Sequence, residues 1–171
     1  MVRPERTRVL IADDSALMRQ KLRQIVEADP ELEVAGVARD GEDAVTKARE
    51  LRPDVISLDI NMPKLDGVGV LQLIMSERIC PVVMVSSLTQ KGALTTFECL
   101  ELGAFDFVSK PDGTVSSKLM VLADEIRSKL KTAAVSGTLK RLVSRQRPEP
   151  RPPCPVTKRW PSAFPPGVRS R

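Results

Sequence analysis

Residues 55–63 read VISLDINMP: a short β-rich apolar run closed at once by Asp59, Asn61 and Pro63. Two further stretches repeat the form, TRVLIADD at 7–14 and PVVMVSS at 81–87. Continuous apolarity, without the alternation of a half-exposed strand, is what a parallel strand covered on both faces requires. EVAGVA at 33–38 and FDFVSK at 105–110 are weaker strands of the same kind.

Helical patterns lie between these runs. Ser15 can cap a helix whose Met18, Leu22, Ile25 and Val26 fall on one stripe and which ends before Pro30. Ala44, Val45, Ala48 and Leu51 form the inner face of the next, which stops before Pro53. A third helix runs from about Asp66 through Leu71 and Ile74, and a fourth from about Lys91 to Leu102, with Gly103 as its C-cap. The last carries Val115, Leu119, Leu122, Ile126 and Leu130, with room to continue towards Val143. Five βα units in sequence predict a doubly wound α/β domain, a five-stranded parallel sheet with helices on both faces. In such sheets the ligand site lies beyond the carboxyl ends of the strands, at the switch point.

The composition narrows the chemistry available there. The 171 residues include no histidine, which excludes Ser-His-Asp and Cys-His hydrolase sites, an HExxH zinc site and a phosphohistidine within these residues. Carboxylate, hydroxyl, thiol and amine remain. With 42% hydrophobic and only 3% aromatic residues, the core should be aliphatic. Cys80, Cys99 and Cys154 are odd in number and widely spaced, which fits neither a disulfide framework nor a CxxC site; Cys80 and Cys99 read as small buried apolar residues. No apolar run reaches the roughly 18 to 20 residues of a membrane span, and MVRPERTRVLIADD carries no signal-peptide pattern, so a cytoplasmic location is the expectation.

The net charge of +5 is unevenly spread. Residues 1–135 hold 18 Lys+Arg against 21 Asp+Glu, whereas 136–171 hold 9 against 1, together with 8 of the 14 prolines. The chain therefore divides into a folded domain, 1–135, and a basic proline-rich linker or disordered tail, 136–171. A basic arm for nucleic acid or anionic lipid, with Trp160 as its anchoring aromatic, is the sharper but less favoured reading of that tail.

The strand ends gather acid. Asp13 and Asp14 close the first strand, Asp59 the third, Ser86 and Ser87 the fourth and Lys110 the fifth. If the first and third strands are neighbours at the switch point, three carboxylates converge on one crevice, an arrangement that is unfavourable unless something positive binds there. Mg²⁺ is the natural guest, held by carboxylates such as Asp14 and Asp59 and a backbone carbonyl near Asn61, with water completing the octahedron. The same ion can hold a phosphoryl group, to which Lys110 and the Ser86 hydroxyl add charge and a hydrogen bond. Asp59 is placed best to attack, giving an acyl phosphate. Each residue alone reads equally well as a cap or loop residue; their convergence at four strand ends is what carries the argument.

These residues resemble the receiver domain of two-component response regulators. The likeness covers about residues 7–131 and rests on DDS after the first strand, LDINMPKLDG, MVSS and FDFVSKP. It implies a flavodoxin-like sheet of order 2-1-3-4-5, with Asp59 as phosphoacceptor and Asp13, Asp14, Asp59 and the Asn61 carbonyl serving Mg²⁺. It further implies that Ser86 is the switch hydroxyl, Lys110 the phosphoryl-contacting lysine and Phe107 the aromatic that changes rotamer on activation, with a cis Lys110–Pro111 bond. Such a receiver promotes its own phosphorylation and dephosphorylation, and its phosphodonor is a histidine kinase. The runs SSLTQKGA and LGAFDFVSKP are most similar to the chemotaxis methylesterase response regulators. That points to a chemotaxis-type kinase and to a methylesterase domain or chemoreceptor complex as partners. The chain contains no GxSxG-like loop and no histidine, so these residues hold no methylesterase triad and look like the regulatory half.

Three rivals are weaker. A Mg²⁺-dependent aspartyl-phosphate phosphatase would carry a second Asp two places after the nucleophile, where Asn61 stands. DGVGVLQ at 66–72 lacks the third glycine of a dinucleotide fingerprint and follows the wrong strand. The tail is too short and too rich in proline for a helix-turn-helix, so nucleic acid is not the expected partner.

Overall fold

The computed structural model describes residues 6–87, 97–110 and 122–145. Its elements run β1 (Thr7–Ala12), α1 (Ala16–Glu27), β2 (Leu32–Ala38), α2 (Gly41–Leu51), β3 (Val55–Leu58), α3 (Gly67–Ser76), β4 (Val82–Ser87), a helical stretch α4 at 97–101, β5 (Asp106–Lys110) and α5 (Ala123–Arg145). All the strand pairings are parallel and the sheet order is β2-β1-β3-β4-β5, so β1 and β3 are adjacent where the winding reverses. This is the doubly wound, flavodoxin-like sheet that the apolar runs and the resemblance imply.

Each strand feeds two cores. In β1, Leu10 and Ala12 pack with Ala44, Ala48, Leu71 and Ile74 of α2 and α3, while Val9 and Ile11 pack with Leu22, Ile25, Ile126 and Leu130 of α1 and α5. Two-sided burial is why these strands show no polar alternation. Cys80 and Cys99 are buried in the first of these cores, as their apolar character suggests.

The helix starts follow the caps. The Ser15 hydroxyl accepts from the Met18 N–H, the Asp40 carboxylate from Asp43 and the Asp66 carboxylate from Gly69. Arg52 ends α2 in the left-handed region just before Pro53. Gly103, at φ 105°, ends α4 while its N–H donates to the Leu100 carbonyl. The expected fourth helix begins at Lys91, but residues 91–96 lie outside the described residues. So do Val115, Leu119, the Lys110–Pro111 bond and residues 146–171.

α5 runs on past residue 135 to Arg145. Ala133 and Ala134 are buried, and Gly137 lies so close under β4 that a Cβ there would stand 2.6 Å from Pro81 Cδ. The prolines that argue against packed structure begin only at Pro148, so nothing in 136–145 breaks the helix. No helix among the described residues is long and apolar enough to cross a membrane.

Candidate functional site

The sheet's own hydrogen bonds place the site. The Asp59 N–H donates to the Ala12 carbonyl at 2.9 Å and the Asp13 N–H to the Ala38 carbonyl at 3.2 Å, so both aspartates continue the ladder just past their strands. Asp13 is fully buried and Asp59 is 5% exposed. One cation serves both, since Lys110 Nζ lies 2.7 Å from Asp13 Oδ2 and 2.8 Å from Asp59 Oδ2. The register that sets Ser87 opposite Lys110 delivers this lysine to the crevice from β5.

The remaining carboxylate oxygens are fixed by backbone donors. Asp13 Oδ1 accepts from the Ser15 N–H at 2.9 Å, and Asp59 Oδ1 from the Ile60 N–H at 2.8 Å. Burial pushes the Asp13 carboxyl above the ordinary carboxylate range; Lys110 pulls against this and the nearby Asp59 adds to it. The pocket thus holds more negative charge than Lys110 alone neutralises.

Asp14 stands exposed at the rim, and its carboxylate lies within 4.8 Å of those of Asp13 and Asp59. This is the one group of three metal-capable side chains among the described residues. Ligands about 2.1 Å from a single hard cation stand roughly 3 to 4 Å from one another, so small rotations of these carboxylates would accommodate such an ion. Asn61 is exposed beside Asp14 in a shallow depression of about 590 Å³, shared with Ile60, Met62, Pro63 and Asp66. A separate cavity of about 670 Å³ opens at the opposite sheet edge, near Pro81 and Phe105, with Arg78 as its one charged lining residue among the described residues. Acid chemistry belongs to the first.

Ser86 is buried and pairs in register with Ser109, one position before Lys110. Phe107 is half-buried, in register with Met84 and packed on the α2–α3 side.

One support of the site carries little sequence signal. Arg19 Nη1 donates to the carbonyls of Asp13 at 2.9 Å and Asp14 at 2.8 Å, pinning the turn after β1 from one helical turn into α1. An arginine near a helix start is too common to single out. Gly67, which shapes the loop after Asp59, meets the strand end so closely that a Cβ would fall 2.1 Å from the Asp59 carbonyl oxygen.

Comparison with known proteins places this arrangement. The sequence profile of the response regulator receiver domain matches residues 9–119. The protein-glutamate methylesterase/protein-glutamine glutaminase 3 of Syntrophomonas wolfei is 63% identical over 142 residues, 82% of this chain and 40% of that protein. The corresponding protein 2 of Carboxydothermus hydrogenoformans is 57% identical over 157 residues, 88% of this chain and 44% of that one. Among solved structures, the response regulator domain of Thermotoga maritima CheB superposes with a TM-score of 0.71 at 47% identity, covering 76% of this chain and 97% of that one. The chain spans about 40% of the length of the curated relatives it matches.

Proposed function

The chain belongs to the response regulator receiver domain family, and from that premise we propose that it is the phosphorylation-controlled half of a chemotaxis methylesterase system. The single observation that most supports this reading is the Lys110 ammonium bridging the Asp13 and Asp59 carboxylates at the carboxyl edge of the sheet.

In the proposed reaction, an oxygen of Asp59 attacks the phosphorus of a phosphohistidine on a chemotaxis-type kinase. The P–N bond breaks, the imidazole leaves, and an acyl phosphate forms on Asp59. Asp13, Asp14, Asp59 and the Asn61 carbonyl are the groups that would hold Mg²⁺, which when bound supplies positive charge to the phosphoryl oxygens. Backbone donors hold Asp13 and Asp59 ready, and burial keeps competing water from them. Lys110 then leaves Asp59 for a phosphoryl oxygen, retaining its pairing with Asp13, while the Ser86 hydroxyl donates to another.

Movement of Ser86 makes room for Phe107 to turn inward, which biases the α4–β5–α5 surface between two states. The output is a methylesterase domain acting on chemoreceptors, with the whole system in the cytoplasm. The test is phosphotransfer. With Mg²⁺, a phosphorylated chemotaxis kinase should pass label to this chain, and hydroxylamine should remove it, as it does an acyl phosphate. Label that resists hydroxylamine, or steady turnover of an added phosphate ester, contradicts the reading.

A further inference from the structure

The loop that joins β3 to α3 carries Asn61 and is held at two places. At its far end Gly67 packs on the Asp59 carbonyl and donates to the Ile60 carbonyl at 2.8 Å. Its crown is held by a different element, the start of α2. Gly41 approaches so closely that a Cβ there would meet the Leu65 carbonyl at 1.9 Å, and its N–H points to the Pro63 carbonyl at 3.4 Å. Beside this contact Lys64 Nζ pairs with Asp40 Oδ2 at 2.8 Å, with Glu42 at 3.9 Å as the next acid.

Lys64 is an unexpected residue at this place. Its φ of 67° lies in the left-handed region, where a side chain is strained and glycine or asparagine would be easier. Asp40 is similarly committed: Oδ1 caps α2 through the Asp43 N–H at 2.8 Å, leaving Oδ2 for Lys64. Its side chain is 10% exposed, so the pair is shielded at one end although the lysine is open to water.

We infer that the Asp40–Lys64 pair is a latch that positions the loop bearing Asn61, and so sets the affinity of the acidic site for its divalent cation. This rests on the functional reading above and adds two positioning residues to it. Neither touches the reacting atoms. The latch ties the crown of the loop to the N-terminus of α2, which the sheet holds in place, so that the Asn61 carbonyl keeps its place near Asp14 without depending on the loop alone.

Charge and geometry make opposite predictions, which gives the test. Lys64→Met removes a positive charge and Asp40→Asn a negative one, and Asn still caps α2. Both break the latch. Mg²⁺ binding to the full chain is measured by titration calorimetry. Both variants should bind about tenfold more weakly, the low end of what losing support behind a metal ligand costs. The double variant should be no worse than either single one, and Lys64→Arg should stay near the parent. Lys64→Gly relieves the backbone strain but lacks the pair, so it too should weaken binding. Opposite shifts in Lys64→Met and Asp40→Asn, unchanged affinity in both, or parent-like affinity in Lys64→Gly would overturn the latch while leaving the functional reading standing. A parent chain that binds no Mg²⁺ would overturn both.

Discussion

The ammonium of Lys110 lies 2.8 Å from the carboxylate of Asp59, reaching from the end of β5 over β4 to the end of β3. It neutralises a buried acid, and in the proposed reaction it stands where a phosphoryl oxygen would need a cation.

Lys110→Met should therefore do two things. Without Mg²⁺ it leaves Asp13 and Asp59 buried and unpaired, lowering stability by about 3 kcal/mol. With Mg²⁺ the vacated negative charge favours the ion, so the cation should raise the melting temperature of the variant more than that of the parent. Thermal unfolding with chelator and with Mg²⁺ measures both, and equal Mg²⁺-induced shifts would contradict the pairing.

Gly67→Ala places a methyl group 2.1 Å from the Asp59 carbonyl oxygen, a contact that backbone cannot relieve cheaply. A loss of about 2 kcal/mol or more is expected, with weaker Mg²⁺ binding because the strand end itself must shift. Chemical denaturation and calorimetry check it; a variant as stable as the parent would mean that the loop yields freely.

The Asp29–Lys131 pair, at 2.9 Å, ties α5 to the α1–β2 turn. The Glu31 N–H, followed by Lys131, holds Asp29 below the ordinary carboxylate range. A lowered folded pKa means that the added stability is present above about pH 4 and is lost as pH falls through the folded value. Lys131 is raised by Glu31 and Asp29, so its share is present below about pH 10.4 and is lost as pH rises through its folded value. Melting temperatures taken from neutral pH down to about pH 2.5 should fall further for the parent than for Asp29→Asn. Parallel curves would remove the pair from the account of acid stability.

Much of this architecture was legible because it is written in short-range pattern. Two-sided apolar runs marked β1, β3 and β4, and the acids that close them fell at one sheet edge by topology alone. Ser15 and Gly103 announced helix ends through local backbone chemistry. What stayed hidden joins distant loops: Lys64 meets Asp40 from 24 residues away, and Arg19 acts on carbonyls, which carry no residue signature. α5 runs through the proline-free stretch 136–145, a continuation that the basic composition of 136–171 does not signal.

The central claim is that Asp59 alone accepts the phosphoryl group. Incubating the parent chain and Asp59→Asn with acetyl phosphate and Mg²⁺, then taking intact masses, tests it most directly. The account predicts a single phosphoryl mass increment on the parent, absent from Asp59→Asn and lost from the parent when Mg²⁺ is chelated. An Asp59→Asn protein that still carries a stable phosphoryl group would contradict it.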